Sequence, residues 1–277
     1  MRTPNKRFLG KIVIVTGGGS GLGLAIAHRF AREGATLVIA GRNPDSLAKA
    51  VAEIQRCWGT RIAAVPCDVT HPEEVAVLVN KTVEEHRRID ILVNNAGCGL
   101  IAPVQQVRLA DAKALFEVNL FGAFNCIQAV LPHMRTQRAG YIVNVASLAG
   151  LRGIPNSAIY SASKAALIAL ADSLRIEMKR DGVVVTSICP SQIQDTAFFA
   201  RAKTQTECDL YKVPHMLHAD TVAQALLDAV SKRKPLVVLP FHAQAMYIAN
   251  KFAPRFIDRI LYRRLPRSTP SSKNDQK

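Results

Sequence analysis

One stretch near the start of the chain restricts its fold more than any other. Ile12-Val13-Ile14-Val15 is an apolar, β-branched run with the length of a buried parallel strand. It passes directly into Thr16-Gly17-Gly18-Gly19-Ser20-Gly21-Leu22-Gly23. Leu22, Ile26, Ala27 and Phe30 then recur at helical spacing as far as Gly34. Strand, glycine loop and helix in that order let a backbone come close to a pyrophosphate at a helix N-terminus, where free N–H groups and the positive dipole point at it. A tight turn without a ligand is the bland alternative, and the flanking strand and helix weigh against it.

The alternation continues. Apolar runs at 35–40, 62–66, 89–93, 140–145, 183–188 and 235–240 predict further strands, and helical patterns cover 44–57, 72–87, 111–135, 157–180 and 219–231. Strands separated by helices predict an α/β fold, a doubly wound parallel sheet of Rossmann type with about seven strands. No linker divides the chain, so residues 11–240 read as one domain. A basic segment, 1–10, precedes it. A helical extension, 241–265, and a disordered tail, 266–277, follow it. Within the domain, 191–217 lacks a clean period. Its Phe198, Phe199, Tyr211 and Met216 suit either a substrate loop or a surface excursion.

The net charge of +15 suggests nucleic acid or membrane until it is located. Residues 1–11 hold four cations and no acid, and residues 232–277 hold eleven Lys/Arg against Asp258 and Asp275. The body between them is nearly neutral, which argues against a nucleic-acid enzyme. No 18-residue apolar run is read, and no signal peptide, so the expected location is the cytoplasm or the cytosolic face of a membrane. The six cysteines form no CxxC and no pair with His at metal spacing, so no metal is expected.

Several residues fall where such a sheet presents its ligand rim. Arg42 follows the second strand, where an acid would bind the 2′-hydroxyl of NAD. A guanidinium there suits a 2′-phosphate, unless it is only a solvated helix-start residue. Asp68, with Val69, could accept from an adenine amino group or serve as a local turn residue. Asn94-Asn95-Ala96-Gly97 closes the fourth strand with small residues. Asn119 sits in mid-helix, where its propensity is poor. Ser147 lies just past the fifth strand. Tyr160 and Lys164, four apart on a predicted helix, leave the same face. An ammonium beside the phenol would lower its pKa toward neutrality and let it pass a proton.

Together these motifs resemble the short-chain dehydrogenase/reductase family over roughly residues 10–240. Thr16 to Gly23 looks like its TGxxxGxG loop, Asn94 to Gly97 like its NNAG, and Asn119, Ser147, Tyr160 and Lys164 like its catalytic tetrad. The resemblance implies that Tyr160 exchanges a proton with the substrate oxygen and that Ser147 holds that oxygen. Lys164 would tune Tyr160 and bond the nicotinamide ribose, and Asn119 would support a water leading from Lys164. It implies cofactor contacts from Thr16, Gly17, Gly19, Ser20, Gly21, Leu22, Gly23, Arg42, Asp68, Val69, Asn95, Ala96, Gly97, Tyr160, Lys164, Pro190 and Ile193. The chain departs from the pattern at Ser191, where the family usually has Gly after Pro190, and it places Asp195 before Thr196.

The expectation is an NADP(H)-dependent oxidoreductase interconverting a carbonyl and an alcohol on a hydrophobic substrate. NAD(H) is the alternative cofactor, and a non-catalytic cofactor-binding regulator is the alternative role. A homodimer or homotetramer through 111–135 and 157–180 is expected. Residues 242–265 carry Met246, Ala249, Ala253, Phe256 and Ile260 at helical spacing with cations largely off that stripe, and Pro254 divides them. Such a stretch lies on an anionic membrane, packs over the domain or makes a subunit contact.

Overall fold

A strand that is apolar on both sides needs a layer of helices on each face. β1 (Ile12–Thr16) is buried along its whole length and pairs in parallel with β2 (Thr36–Gly41) and β4 (Ile91–Asn94). The computed structural model describes residues 6–194, 196, 198, 202–204 and 216–263. Within them β3 (Ile62–Pro66), β6 (Gly140–Val145), β7 (Val183–Pro190) and β11 (Leu236–Leu239) complete a seven-stranded parallel sheet, in the order β11-β7-β6-β4-β1-β2-β3. Two short pairs lie outside it: β5 (Leu100–Ile101) with β9 (Lys203–Thr204), and β8 (Ile193–Gln194) with β10 (Leu217–His218).

Alternate residues of the strands feed two cores. Val13, Val15, Leu37 and Ile39 pack with Ile26 and Phe30 of α1 (Gly21–Arg32), Leu47 and Ile54 of α2 (Pro44–Trp58) and Leu226 of α8 (Ala219–Ser231). On the other face Ile14, Val38 and Leu92 meet Leu78 of α3 (Pro72–His86), Val130 of α5 (Gly122–Gln137) and Leu174 of α7 (Ala158–Glu177). β7 runs two residues past the end expected of it, because Leu239 pairs with Pro190 and prolongs the ladder. The described part of the N-terminal segment is docked. Phe8 is buried edge-to-face against Phe30, and Arg7 bridges Glu33 and Asp228.

The helix expected over 111–135 is longer and is not uniform. α4 (Leu109–Phe116) passes through one π turn, 117–121, into α5. The wider turn changes the phase of the faces, so Phe121 is 45% exposed, while Asn119 is buried. Leu109–Gln137 is also long and apolar enough to cross a bilayer, contrary to the expectation of no such run. Its buried residues Leu115, Ile127, Val130 and Met134 already pack inside the protein.

Pro254 divides the C-terminal extension into α9 (Phe241–Phe252) and α10 (Pro254–Arg263). The inward residues are Ala243, Ile257 and Leu261, whereas Ala249, Ala253 and Phe256 face outward. The expected stripe fails on both sides of the break: α9 turns Ala243 rather than Ala249 inward, and α10 starts a new phase with Ile257 and Leu261 inward. Of the residues read as a substrate loop, Phe199 and Tyr211 lie outside the described residues, as do Asp195 and the tail 266–277.

Candidate functional site

The carboxyl ends of β1, β2, β4, β6 and β7 open onto one cavity of about 1260 Å³. The glycine loop forms one wall. Gly23 has no alternative there, since a Cβ would stand 2.1 Å from the Gly17 carbonyl oxygen. Gly17, Gly19, Ser20, Gly21, Leu22 and Gly23 all line the cavity. Thr16 does not. It is 1% exposed, and its hydroxyl donates to the Val93 carbonyl and accepts from the N–H groups of Asn95 and Ala96 at 3.0 and 3.1 Å. The Asn95 amide donates to the Thr16 carbonyl at 2.9 Å. Thr16 and Asn95 therefore lock the β1 loop to the β4 loop from behind. Asn94, one residue earlier, is buried and donates to Asn144 of β6 at 2.9 Å.

Arg42 stands at the end of β2 with its side chain 75% exposed and a terminal nitrogen 4.0 Å from Asp68. It lines the cavity beside the first turn of α2, and no acid occupies positions 41–43. Asp68 also lines the cavity, with Val69. One of its oxygens accepts from the N–H and hydroxyl of Thr70 at 3.0 and 2.9 Å, so its turn role is the one observed. Those bonds and the Arg42 charge outweigh burial and hold its carboxyl below the usual range.

Ala96, Gly97, Ser147, Tyr160, Lys164, Pro190 and Ile193 converge at the inner end. A Cβ on Gly97 would lie 3.1 Å from Asn119 Oδ1 and 3.4 Å from Lys164 Nζ, so a glycine there keeps the floor open. Ser147 caps α6 (Leu148–Leu151): its hydroxyl accepts from the Ala149 N–H at 3.1 Å and also shares a side-chain hydrogen bond with Tyr160. Lys164 is 4% exposed and donates to the Val145 carbonyl at 3.0 Å. Asn119 is placed by the π turn. It exchanges bonds with the Cys98 N–H and carbonyl at 2.8 and 3.0 Å and donates to Ser163 at 3.1 Å, and its side chain does not line the cavity.

The electrostatics differ from expectation. Lys164 was expected to pull the Tyr160 phenol toward neutrality. Its ammonium lies 6.0 Å from the Tyr160 ring centre, and burial dominates both groups. Burial pushes Tyr160 up to about 12 despite the Ser147 hydrogen bond, and pushes Lys164 down to about 8. The phenol therefore holds its proton across the neutral range. Ser191 keeps a backbone that needs no glycine: its φ is not positive, and its N–H donates to the Leu239 carbonyl at 2.9 Å.

Several lining residues were not expected. Cys98, Val118, Leu148 and Ile154 supply apolar wall. Phe198, one of the residues read as a substrate loop, lies at an angle 5.9 Å from Tyr160 and lines the cavity with them. Pro240, His242, Ala243 and Leu261 come from the C-terminal extension. The amphipathic pattern after Pro240 was the available signal, but sequence alone does not say which wall it covers. Among the described residues no cluster of His, Cys, Asp or Glu could hold a metal ion. The glycine cradle, the arginine at the end of β2 and a cavity with room for two molecules fit a nicotinamide dinucleotide beside a substrate.

The comparisons agree with this geometry. The short chain dehydrogenase profile matches residues 11–207. The ketoacyl reductase HetN of Nostoc sp. is 31% identical over 257 residues, covering 91% of this chain and 88% of its own. A short-chain dehydrogenase/reductase of Burkholderia phymatum in complex with NAD superposes with TM-score 0.80 at 26% identity, covering 96% of this chain and 99% of its own. A short-chain dehydrogenase of Sphingobium yanoikuyae in complex with NADPH superposes at 0.77 with 27% identity, covering 96% and 100%. The chain belongs to the short-chain dehydrogenase/reductase family and is an NAD(P)-dependent oxidoreductase acting on small molecules.

Proposed function

We propose that the chain is an NADP(H)-preferring reductase of an apolar ketone or aldehyde. The observation that carries the cofactor preference is Arg42. It stands exposed at the end of β2 with no acid at 41–43, where a guanidinium suits the charge and the three oxygens of a 2′-phosphate. The cofactor supplies the hydride. Tyr160 gives its proton to the substrate oxygen. Ser147, bonded to Tyr160, holds that oxygen beside it. Lys164 supplies positive charge under the site. Asn119 acts through position, fixing the Cys98 main chain next to the Gly97 floor. The apolar wall of Val118, Leu148, Ile154, Phe198 and Leu261 supports a hydrophobic substrate. The reading also includes a homodimer or homotetramer, and residence in the cytoplasm or on the cytosolic face of a membrane touched through residues 242–265.

Protection against thermal unfolding tests the cofactor assignment. NADPH is expected to protect more strongly than NADH, and Arg42→Asp to reverse the order. Equal protection of both proteins by both cofactors would remove Arg42 from the site. A panel of long-chain ketones against sugars and polyols tests the substrate class, and turnover confined to the polyols would overturn it.

A further inference from the structure

Residues 241–263 form a wall with two different faces. The inner face belongs to the cavity: Ala243 and Leu261 are buried and line it together with Tyr160 and Lys164. Arg152, a few residues after Ser147, ion-pairs with Asp258 and fastens α10 to the rim. A second cleft of about 640 Å³ runs between residues 149–165 and α10, and Leu261 is shared by both cavities.

The outer face is apolar on one helix and basic on the next. Ile248 and Phe252, one turn apart on α9, are 48% and 85% exposed, and Ala245 and Ala249 lie exposed beside them. Arg255, Arg259 and Arg263 repeat every four residues along the exposed side of α10, flanked by Phe256 and Tyr262 at 61% and 75% exposure. Asp258 is the one acid between 241 and 263, and Arg152 holds it. A second copy of the chain would meet this face about a twofold axis and set cations against cations. A nucleic acid would leave Phe252 and Ile248 without an apolar partner. An anionic bilayer satisfies both, with headgroup phosphates for the arginines and the acyl boundary for the phenylalanines.

The geometry points to a docking surface for an anionic lipid bilayer on the outer face of α9 and α10, the same helices whose inner face walls the catalytic cavity. An apolar substrate dissolved in the bilayer then reaches Tyr160 past a wall already seated at the interface. This second step rests on the apolar substrate proposed above; the docking does not.

The test is flotation of the full-length protein with vesicles of phosphatidylcholine alone and of equimolar phosphatidylcholine and phosphatidylserine. Binding is expected only with phosphatidylserine and is weakened by salt. Each of Arg255→Gln, Arg259→Gln and Arg263→Gln should lower affinity by about fivefold, and Phe252→Ser should lower it without disturbing the fold. These variants should keep NADPH-driven reduction of a water-soluble carbonyl and lose reduction of a long-chain carbonyl held in the vesicles. Failure to bind phosphatidylserine vesicles, or equal binding to both vesicles, overturns the docking surface. So does a dimer that Phe252→Ser dissociates, which would give the face to a second copy. Vesicle binding without reduction of any carbonyl would leave the docking standing and remove the proposed substrate.

Discussion

Burial moves Tyr160 and Lys164 in opposite directions, and the consequence is a pH profile with one limb in the ordinary range. Tyr160, raised to about 12, is protonated wherever the enzyme works, so its titration leaves carbonyl reduction flat. Lys164, lowered to about 8, is charged below that pH and neutral above it. The kcat/KM for reduction should therefore hold steady below about 8 and fall above it. Lys164→Arg should carry the limb upward, because a guanidinium keeps its charge. A limb that stays in place in that variant belongs to another group. Tyr160→Phe removes the proton donor and should cost roughly 10²–10⁴ in kcat. Its protection by NADPH should persist, which separates lost chemistry from lost binding. The sequence placed these two side chains on one helical face. It did not reveal the desolvation, which arises only when the folded chain buries both side chains.

At the scale of elements, legibility followed burial. The central strands were readable because a parallel strand covered on both faces is a continuous apolar run, and β1 is buried at every position. The glycine loop was readable because only glycine fits at Gly23. Helix faces were legible only where the period stayed constant. The π turn at 117–121 shifted the phase and turned Phe121 outward, and Pro254 restarted it and exchanged Phe256 for Ile257 as the inward residue. Thr16 reads as a ligand contact in any glycine-loop motif, and only the β4 loop lying against it shows where its hydroxyl goes. The π turn also explains why a poor helix former occupies the middle of a long helix: Asn119 uses that geometry to hold the Cys98 backbone. Asn119→Ala removes both side-chain bonds to the Cys98 backbone and should cost about 1–3 kcal/mol. A urea midpoint checks it. Asn119→Asp keeps the acceptor but turns a buried carboxylate oxygen toward the Cys98 carbonyl, and should cost at least as much as Asn119→Ala.

For the molecule as a whole, two exposed apolar surfaces stand out among the described residues, and their charge distinguishes them. The surface on α9 and α10 carries Lys251, Arg255, Arg259 and Arg263. The other lies on the helices from α4 to α7. Phe121 and Phe124 are 45% and 37% exposed, Leu109 is 70% exposed, and Ile176 on α7 is 74% exposed. Ala169 is also exposed on α7 and would let another helix approach closely. Phe121 and Phe124 belong to the helix Leu109–Gln137, which is apolar enough to pass for a membrane span. A surface without a run of cations gains little from lipid phosphates and suits a second copy of itself, since like meets like across a twofold axis without repulsion. Phe124→Glu puts a charge into that contact and should weaken self-association by about 30-fold or more, the effect of losing one anchoring aromatic. Sedimentation velocity over a concentration series reads it. The glycine loop, Arg42, Ser147, Tyr160 and Lys164 of a single chain line the cavity together, so the dissociated variant should still be protected by NADPH. A variant that becomes monomeric and also loses that protection would show that the partner subunit holds the site in shape.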